Sequence, residues 1–583
     1  MRAPEVAREA LGRLLLCTLY SYGGILALAV LGIVGYNVWN YRKMKKQREA
    51  QCEFFAELYE ADKSRDSVLS LQSLSYEQPV GRTVPIPSVS GGAGPGLCMS
   101  GRRRESGNTL ASFSVVPDTL SSFTSAPPDT SGLPVINKAP TEVLTVFAFG
   151  TGDMSGELGL GPKRKEVKRA VVIPKLDGRE KDSYRVVQVD CGGMHTIALT
   201  EDSKIVTWGG NDKGALGRDT NWDGGLRDMD AEKSGSDSDS DDEALNPVES
   251  TPTHIPETAF PKGTKFTYVA AGDSCSFAVT DTGLVYGWGT FLDSEAHETF
   301  LHYKDERIKV QHKPTLVPGL QNITKVVCGS NHALALDVKG NVWTWGVNEQ
   351  NQVGRRTRAR RNHDDNYYPN VLELSRHPIR LIASGPYHSF AVDKLDRVFA
   401  WGLNSYGQAG YAKDAGSDNA ILPYPLQIRS LSKQGIVALD AGEQHSTAVT
   451  ADGRFLVWGR IDGGHLGLKL TEEQLQDPKI ARRDEHDRPR ILLQPTAVPN
   501  IGEGAFVACS RGHTIFVNKE GKAYASGFNG QLQLGNGSDD DTEVAVEVKA
   551  KALKGVKLTW CGTGGQFSMV AGPYAEFEKV EEA

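Results

Sequence analysis

Five histidines recur at equivalent places along the chain, and imidazole is a common side chain for proton transfer and metal binding. Each stands three residues after the glycine or serine of a small-residue turn, and they are His195, His332, His388, His445 and His513. A further copy of the turn carries Cys275 at this place. Such a set could be a ring of metal ligands, or it could be one structural position of a repeat.

The histidines belong to a longer pattern. The anchor residues three positions earlier are Gly192, Gly272, Gly329, Gly385 and Gly442, with Ser510 in the last copy. A second glycine follows each anchor by 17 residues: Gly209, Gly289, Gly346, Gly402, Gly459 and Gly527. The residue before it is Trp208, Trp288, Trp345, Trp401 or Trp458, and Ser526 in the last copy. A constant offset over six copies indicates internal duplication.

Each copy has the pattern of a β-hairpin between its two glycines. An alternating apolar segment such as "ALALD" leads into a tight turn such as "DVKGN", and a second strand such as "NVWTWG" follows. Glycine in the turn supplies the positive φ that such hairpins need. The anchors recur at intervals of 56 to 80 residues, and the longer intervals contain insertions. A basic unit of about 55 residues fits a four-stranded propeller blade.

The repeat predicts an all-β, seven-bladed propeller over residues 141–573. The seventh copy is split, because "CGTGGQFSMVAG" near the end supplies an anchor at Gly562 while Phe149-Gly150 near the start replaces Trp-Gly. A blade built from N- and C-terminal strands closes the ring and leaves no open sheet edge. The glycine content, 63 of 583 residues, agrees with a turn-rich β protein.

Propeller geometry decides between the two hypotheses for the histidines. Equivalent positions on neighbouring blades lie of order 10 Å apart, whereas a histidine–metal bond is about 2 Å long. We therefore expect a structural histidine in each blade, no metal and no cofactor. The sequence also lacks a Gly-x-Ser-x-Gly elbow, a Walker loop and a His-Glu-x-x-His motif. These observations predict that the protein is not an enzyme.

The N-terminal region predicts a membrane anchor. Residues 14–39, "LLLCTLYSYGGILALAVLGIVGYNVW", contain no charge and exceed the roughly 20 residues that span a bilayer. A short segment, 1–13, precedes this predicted transmembrane helix. The basic juxtamembrane segment 40–75, with helical potential, places the rest of the chain on the cytosolic or matrix side. Residues 76–140 are rich in Pro, Gly and Ser and predict a disordered tether, and 574–583 form an acidic tail.

Three insertions interrupt the repeat, near 219–255, 355–366 and 460–500, and irregular loops commonly carry recognition. The first contains Ser236, Ser238 and Ser240 among acidic residues, as candidate phosphorylation sites or part of an ordinary surface loop. The second contains Arg355, Arg356, Arg358, Arg360 and Arg361, as a candidate partner loop or as partners of nearby acidic loops. The net charge of −7 makes nucleic acid an unlikely general partner.

The repeat resembles the regulator of chromosome condensation repeat family. Its hallmark is a Gly-x-x-His turn, a hairpin and then Trp-Gly-x-Asn-x-x-Gly-Gln-Leu-Gly, which "WGLNSYGQAG" and "WGVNEQNQVG" match closely. The resemblance covers about three quarters of the chain and implies the seven-bladed fold. The founding type of the family is a guanine nucleotide exchange factor that acts from one propeller face on a small nuclear GTPase.

The order of anchor, tether and propeller is similar to a fungal mitochondrial member of the family needed for assembly of the cytochrome bc1 complex (complex III). The main prediction is therefore a non-enzymatic, membrane-tethered scaffold for complex III subunits or assembly intermediates, in the mitochondrial inner membrane with its propeller in the matrix. The alternative function is exchange on a small GTPase, and a weaker alternative is an RNA- or ribosome-associated factor. The alternative locations are the cytosol-facing endoplasmic reticulum and the mitochondrial outer membrane.

Overall fold

The computed structural model describes residues 133–180, 182–222, 244–303, 306–355, 366–417 and 420–573. Short helices are α1 (Pro247–Ser250) and α2 (Glu472–Gln476), and single 3-10 turns lie at Pro174–Leu176, Glu257–Ala259 and Lys551–Leu553. The strands, in chain order, are β1 (Leu144–Thr151), β2 (Glu166–Val172), β3 (Val186–Cys191), β4 (His195–Thr200), β5 (Ile205–Gly209), β6 (Thr253–His254), β7 (Phe266–Ala271), β8 (Cys275–Thr280), β9 (Val285–Gly289), β10 (Phe291–Leu292), β11 (Glu298–Thr299), β12 (Leu301–Tyr303), β13 (Glu306–Ile308), β14 (Gln311–Leu316), β15 (Ile323–Cys328), β16 (His332–Asp337), β17 (Val342–Gly346), β18 (Asn370–Leu372), β19 (Ile379–Ser384), β20 (His388–Asp393), β21 (Val398–Leu403), β22 (Ile421–Ile428), β23 (Ile436–Ala441), β24 (His445–Thr450), β25 (Phe455–Arg460), β26 (Ala481–Arg483), β27 (Pro489–Ala497), β28 (Gly504–Cys509), β29 (His513–Asn518), β30 (Ala523–Gly527), β31 (Thr542–Glu547), β32 (Trp560–Thr563) and β33 (Phe567–Pro573).

The long strands form seven antiparallel sheets, which are the blades. From inner to outer strand, blades 1 to 7 have the orders β3-β4-β5-β6, β7-β8-β9-β14, β15-β16-β17-β18, β19-β20-β21-β22, β23-β24-β25-β27-β26, β28-β29-β30-β31 and β32-β33-β1-β2. The inner strand of each blade contacts the inner strand of the next, and β32 contacts β3. The ring is therefore closed, and the predicted all-β, seven-bladed propeller is confirmed.

Blade 7 joins the two ends of the described chain. Strand β1 lies between β33 and β2, with Leu144 opposite Pro573 and Gly150 opposite Phe567. The same register pairs His195 with Gly209 in blade 1, so Phe567 occupies the histidine position. The anchor of this blade is therefore Gly564, whose N–H donates to Phe567 O at 2.9 Å as that of Gly192 does to His195 O. The predicted anchor, Gly562, was two residues too early.

The interior is apolar because whole strands are covered on both faces. The second strand of every complete blade copy, such as β16 and β24, is buried along its full length, and fully burying one large apolar side chain contributes about 1.5–3 kcal/mol. Aromatic rings pack between blades, as where Phe277 meets Trp345 edge-on at 5.4 Å between ring centroids. Blade packing thus joins the repeated tryptophan of one blade to a variable residue of the second strand of the preceding blade.

The two ends of the ring differ in the connections that they carry. One end carries the Gly-x-x-His turns, between inner and second strands, together with the loops that follow the third strands. We call this end the upper face. The Gly-x-x-His turns are called the inner turns, and the loops that follow the third strands are called the upper loops. The opposite end carries the tight turns between second and third strands, where Ser203 and Asp396 adopt positive φ angles of 64° and 58°.

Part of the predicted organisation lies outside the described residues. The predicted membrane span at 14–39, the segments 1–13 and 40–75 and the acidic tail at 574–583 are among these. Within the described ranges, no helix has the length and apolar character needed to cross a membrane. The end of the predicted tether is bonded to the propeller, since the N–H groups of Ile136 and Asn137 both donate to Asp281 O, at 2.8 and 3.0 Å.

Candidate functional site

The anchor glycines lie where neighbouring blades come closest. A Cβ added to Gly192 would lie 2.2 Å from Gly272 O, and one added to Gly329 would lie 2.2 Å from Gly385 O. Because those atoms are backbone of the next blade, they cannot move aside for a larger residue. The anchors therefore set the spacing of the ring, and their role is structural.

The recurring histidines connect each blade to the next. Each Nε2 lies 2.7–2.8 Å from a hydroxyl oxygen of the following blade, and the pairs are His195–Ser276, His332–Ser389, His388–Ser446, His445–Thr514 and His513–Ser568. Each hydroxyl also donates to a backbone carbonyl of an upper loop, as Ser446 does to Gln408 O at 2.9 Å. The hydroxyl can therefore only accept from the ring, so Nε2 carries the hydrogen.

These imidazoles are held neutral by burial. Loss of solvation lowers the pKa of His195 to about 4 and those of His332, His388 and His513 to about 3. Among the described residues, no cluster of three or more His, Cys, Asp or Glu side chains has the arrangement of a metal site. The histidines thus act in pairs with hydroxyls, across blades rather than within one.

The Trp-Gly positions complete the same structure. Trp208, Trp288, Trp345, Trp401 and Trp458 are buried, and four of them donate their indole N–H to an upper-loop carbonyl at 2.8–3.0 Å. The following glycines, Gly209, Gly289, Gly346, Gly402, Gly459 and Gly527, have φ between 93° and 116°. Only glycine adopts this backbone readily.

The side chains that differ between blades gather at the centre of the upper face. They are the two residues inside each inner turn: Gly193-Met194, Asp273-Ser274, Ser330-Asn331, Pro386-Tyr387, Glu443-Gln444, Arg511-Gly512 and Gly565-Gln566. Arg511 and Glu443 form an ion pair with Nε–Oε2 at 2.8 Å. Asp273 donates its backbone N–H to Ser330 O at 3.0 Å, and partial loss of solvation raises the pKa of its carboxyl. A charged, non-repeating surface therefore covers the axis of the ring.

A cavity of about 550 Å³ opens on this face between blades 6, 7 and 1. The inner turns of these blades line it with Met194, Arg511 and Gln566, and the upper loops contribute Phe528 and Glu157. Its walls therefore combine apolar surface, amides, a carboxyl group and the guanidinium of Arg511. This composition fits recognition of an amphipathic group by complementary contacts.

Two small hairpins also rise from this face. They are β10-β11 and β12-β13, inserted in blade 2 between its third and outer strands. The first is attached to both neighbours, since Leu292 N–H donates to Asn331 Oδ1 at 2.8 Å and Lys213 Nζ lies 2.6 Å from Glu298 Oε1. The spacing of the anchors did not reveal this insertion, because Gly272 and Gly329 are separated by an ordinary interval. A usable signal was the missing Asn-x-x-Gly-Gln loop after Gly289.

A family model described as the RCC1-like domain matches residues 145–570.

The chain belongs to the RCC1-like domain family.

Its curated relatives support the assignment. The chain is 38% identical over 448 residues to the guanine nucleotide exchange factor SRM1 of Saccharomyces cerevisiae, covering 75% of this chain and 89% of that protein. It is 35% identical to protein pim1 of Schizosaccharomyces pombe, covering 76% of this chain and 78% of that protein. The solved structure of Prp20p from S. cerevisiae, described with its binding to Gsp1p and histones, matches with a TM-score of 0.65 and 35% identity over 75% of this chain and 93% of that one.

These relatives correct two predictions. The prediction that the protein is not an enzyme is wrong, because its relative SRM1 is a guanine nucleotide exchange factor and such factors catalyse nucleotide release. None of the relatives named here is a complex III assembly factor, so the comparison favours the exchange-factor alternative over the mitochondrial scaffold. Nucleotide exchange makes and breaks no covalent bond. A protein that catalyses exchange therefore needs none of the catalytic motifs that this sequence lacks.

Arg355 is bonded to the third strand of blade 3. Its guanidinium donates to Thr344 Oγ1 and Thr344 O, both at 3.1 Å, as that of Arg218 in blade 1 donates to Thr207 Oγ1 and Thr207 O. Arg355 is thus a member of the repeat that holds an upper loop to its blade. The other arginines of the candidate partner loop, Arg356, Arg358, Arg360 and Arg361, lie outside the described residues, as do Ser236, Ser238 and Ser240. Their predicted roles stay predictions.

Proposed function

We propose that this protein accelerates guanine nucleotide release from a small GTPase that docks on the upper face of the propeller. The observation that carries the proposal is the 38% identity to the exchange factor SRM1, which extends over 89% of that protein. The structural match to Prp20p, whose binding to Gsp1p is described with its structure, points to a GTPase of the Gsp1p type.

The upper face has the features that this activity needs. An exchange factor works by binding the nucleotide-free GTPase more tightly than the nucleotide-bound one, so that nucleotide leaves as the complex forms. Such a surface must be large, irregular and rigid. The non-repeating inner turns supply varied charge, as at Asp273, Glu443 and Arg511, and the closed ring beneath them holds their backbone in place.

The inserted hairpins of blade 2 give this face a projection. Ser294 bonds to Glu349 of the neighbouring upper loop, with Oγ–Oε1 at 2.7 Å, and Lys213 holds the other side through Glu298. A projection supported on both sides can press on a docked protein without folding back. We propose that the hairpins β10-β11 and β12-β13 contact the GTPase next to its nucleotide.

Release of fluorescent GDP from a panel of small GTPases, including Gsp1p, tests the proposal with the full-length chain. We expect faster release from one member, saturating with GTPase concentration. Asp273→Asn should lower the rate, whereas Lys339→Ala, which removes a charge from a turn on the opposite face, should leave it unchanged. No acceleration across the panel would contradict the proposal.

The predicted anchor at 14–39 would hold this activity at a membrane, and we keep that as a separate proposal. Its motivation is the uncharged 26-residue run alone. Proximity labelling from the C-terminus reports compartment, topology and neighbours together, and includes the predicted mitochondrial inner membrane among its outcomes. Labelling of soluble nuclear proteins by the full-length chain would overturn the anchor.

A further inference from the structure

A buried carboxylate in the upper-face cavity distinguishes one blade from its neighbours. Three upper loops place a glutamine at the same position, Gln352, Gln408 and Gln533, and blade 7 places Glu157 there. Each glutamine accepts the backbone N–H two residues earlier through Oε1, at 2.8–2.9 Å. Glu157 does the same for Ser155 N–H through Oε2, at 3.3 Å.

The structural task of this position therefore needs no charge. Glu157 is 2% exposed, and the three glutamines are buried to the same extent. Its backbone carbonyl, rather than its side chain, accepts the indole N–H of Trp208 at 3.0 Å. The change from glutamine to glutamate thus adds only a negative charge, in a place where desolvation makes the charged form costly and raises the pKa of Glu157.

No cation of the described chain compensates this charge. The ion pairs of the described residues do not include Glu157, and Asp153 nearby adds a second negative charge. Arg511 also lines the cavity, but its guanidinium is 83% exposed and is paired with Glu443. A second acceptor, Oε1 of Gln566, is buried without a hydrogen-bond partner among the described residues. Gln566 Oε1 therefore lacks a donor, and the Glu157 carboxylate, which accepts the Ser155 N–H, lacks a cation.

The shape and lining of the cavity indicate what would supply the donor. Its volume of about 550 Å³ admits an extended side chain. Met194 and Phe528 present apolar walls that suit the methylene stem of a lysine or arginine. Glu157 and Gln566 then face the charged end. We infer that this cavity receives a lysine or arginine side chain of the docked GTPase, with the Glu157 carboxylate as its counter-charge.

This inference rests on the proposed function and is tested in the same exchange assay. Glu157→Gln copies the residue of the three equivalent loops, so the variant keeps the hydrogen bond to Ser155 N–H and the fold. We expect the half-saturating GTPase concentration to rise at least about tenfold, since an interfacial charge loses its buried partner, while the thermal midpoint does not fall. Glu373→Gln, on an exposed site beyond the outer strand of blade 3, is the charge-matched control and should change neither value.

A double-mutant cycle identifies the side chain that enters the cavity. Basic residues of the GTPase are neutralised one at a time and assayed against the wild-type chain and Glu157→Gln. One of them should weaken docking to the wild type and have little effect on the variant. If every basic residue gives the same effect on both chains, or if Glu157→Gln leaves half-saturation unchanged, the inference is overturned. It is overturned equally if Glu157→Gln leaves docking of the GTPase unchanged and weakens only the binding of histones, which Prp20p binds and which are also basic. If the wild-type chain releases no nucleotide, the proposed function fails first.

Discussion

The Gly-x-x-His turn contributes to both the propeller interior and the upper face, through different positions. In the Gly-x-x-His turn the outer positions repeat from blade to blade, and they set blade spacing and link each blade to the next. The two inner positions do not repeat, and they form the charged surface over the axis. A residue that recurs in every copy is thus explained by packing, whereas the non-repeating residues of the inner turns are exposed to a partner in the proposed docking.

The interior has two exceptions, because blades 2 and 7 lack the histidine. Blade 2 has Cys275 in place of histidine, and blade 3 has Ala333 in place of the hydroxyl that would receive it. Both are buried and apolar. Donor and acceptor have therefore been lost together, which avoids an unpaired buried hydroxyl. In blade 7 Phe567 replaces the histidine, but blade 1 keeps Thr196, whose buried Oγ1 has no hydrogen-bond partner among the described residues. Loss of the histidine is therefore matched by loss of the hydroxyl in one of the two exceptions.

The largest loss of stability should come from the repeated tryptophans. Trp401→Ala removes a fully buried indole and its hydrogen bond to Gln352 O, so we expect the free energy of unfolding to fall by about 3–5 kcal/mol. Tyr387→Ala, at a 37% exposed position of an inner turn, should cost about 1 kcal/mol or less. Urea unfolding measures both. Equal losses for the two variants would contradict the division between interior and upper face.

Acid should destabilise the interior through its neutral histidines. Their folded pKa values lie well below the unfolded value of about 6.5, so below pH 6.5 the unfolded state binds protons that the folded state does not. Asp190 and Asp440, whose pKa values burial raises to about 7 and 6, act in the opposite direction. Burial also lowers the pKa of His465 to about 4. The six histidines together outweigh the two carboxyls, and we expect a net loss of about 4 kcal/mol between pH 6.5 and 5.5.

The slope of stability against pH, from urea unfolding at several pH values, measures this effect. His388→Gln should make the slope shallower by about 1.4 kcal/mol per pH unit below pH 6, since one titrating group is removed. Stability that stays constant from pH 6.5 to 5.5 would show that the histidines are not the groups that titrate.

A double-mutant cycle tests whether histidine and hydroxyl form one unit. His388→Ala leaves the Ser446 hydroxyl without its donor, and we expect a loss of about 2–3 kcal/mol. Ser446→Ala added to it should cost little more, because the pair then resembles Cys275 and Ala333. Unfolding free energies of the two single variants and the double variant give the coupling. Additive losses would argue against the paired role.

The sequence was sufficient for the propeller because repeats are local and periodic. The blade count and the split blade followed from the Trp-Gly offset and from Phe149-Gly150. The anchor of blade 7 was predicted at Gly562 because "GTGG" contains several glycines. Only the strand register identifies Gly564 as the anchor. Arg355 was grouped with the arginines that follow it, and its place directly after an upper-loop glycine, shared with Arg218, is the sequence signal for its bonds to the blade.

The upper face was less predictable for a physical reason. Its residues are far apart in sequence, and only ring closure brings Met194, Arg511 and Gln566 to one cavity. Glu157 differs from its counterparts by one charge in a buried position, which alignment of the copies could have shown. Exchange leaves no motif of nucleophile or metal ligands, because its catalysis is a difference in binding free energy.

The smallest effect on stability should come from the Arg511–Glu443 pair. Arg511 is largely exposed, and an exposed ion pair contributes about 0–1 kcal/mol, so Arg511→Ala should hardly move the urea midpoint. The same change removes a positive charge beside the cavity that we infer receives a cationic side chain, so we expect the half-saturating GTPase concentration to fall several-fold, more at low salt than at high salt. Exchange kinetics at two ionic strengths measure this. If Arg511→Ala lowers the urea midpoint as much as Trp401→Ala does, Arg511 contributes to stability like the repeated interior residues. A variant that unfolds and exchanges like the wild type would remove it from the docking surface.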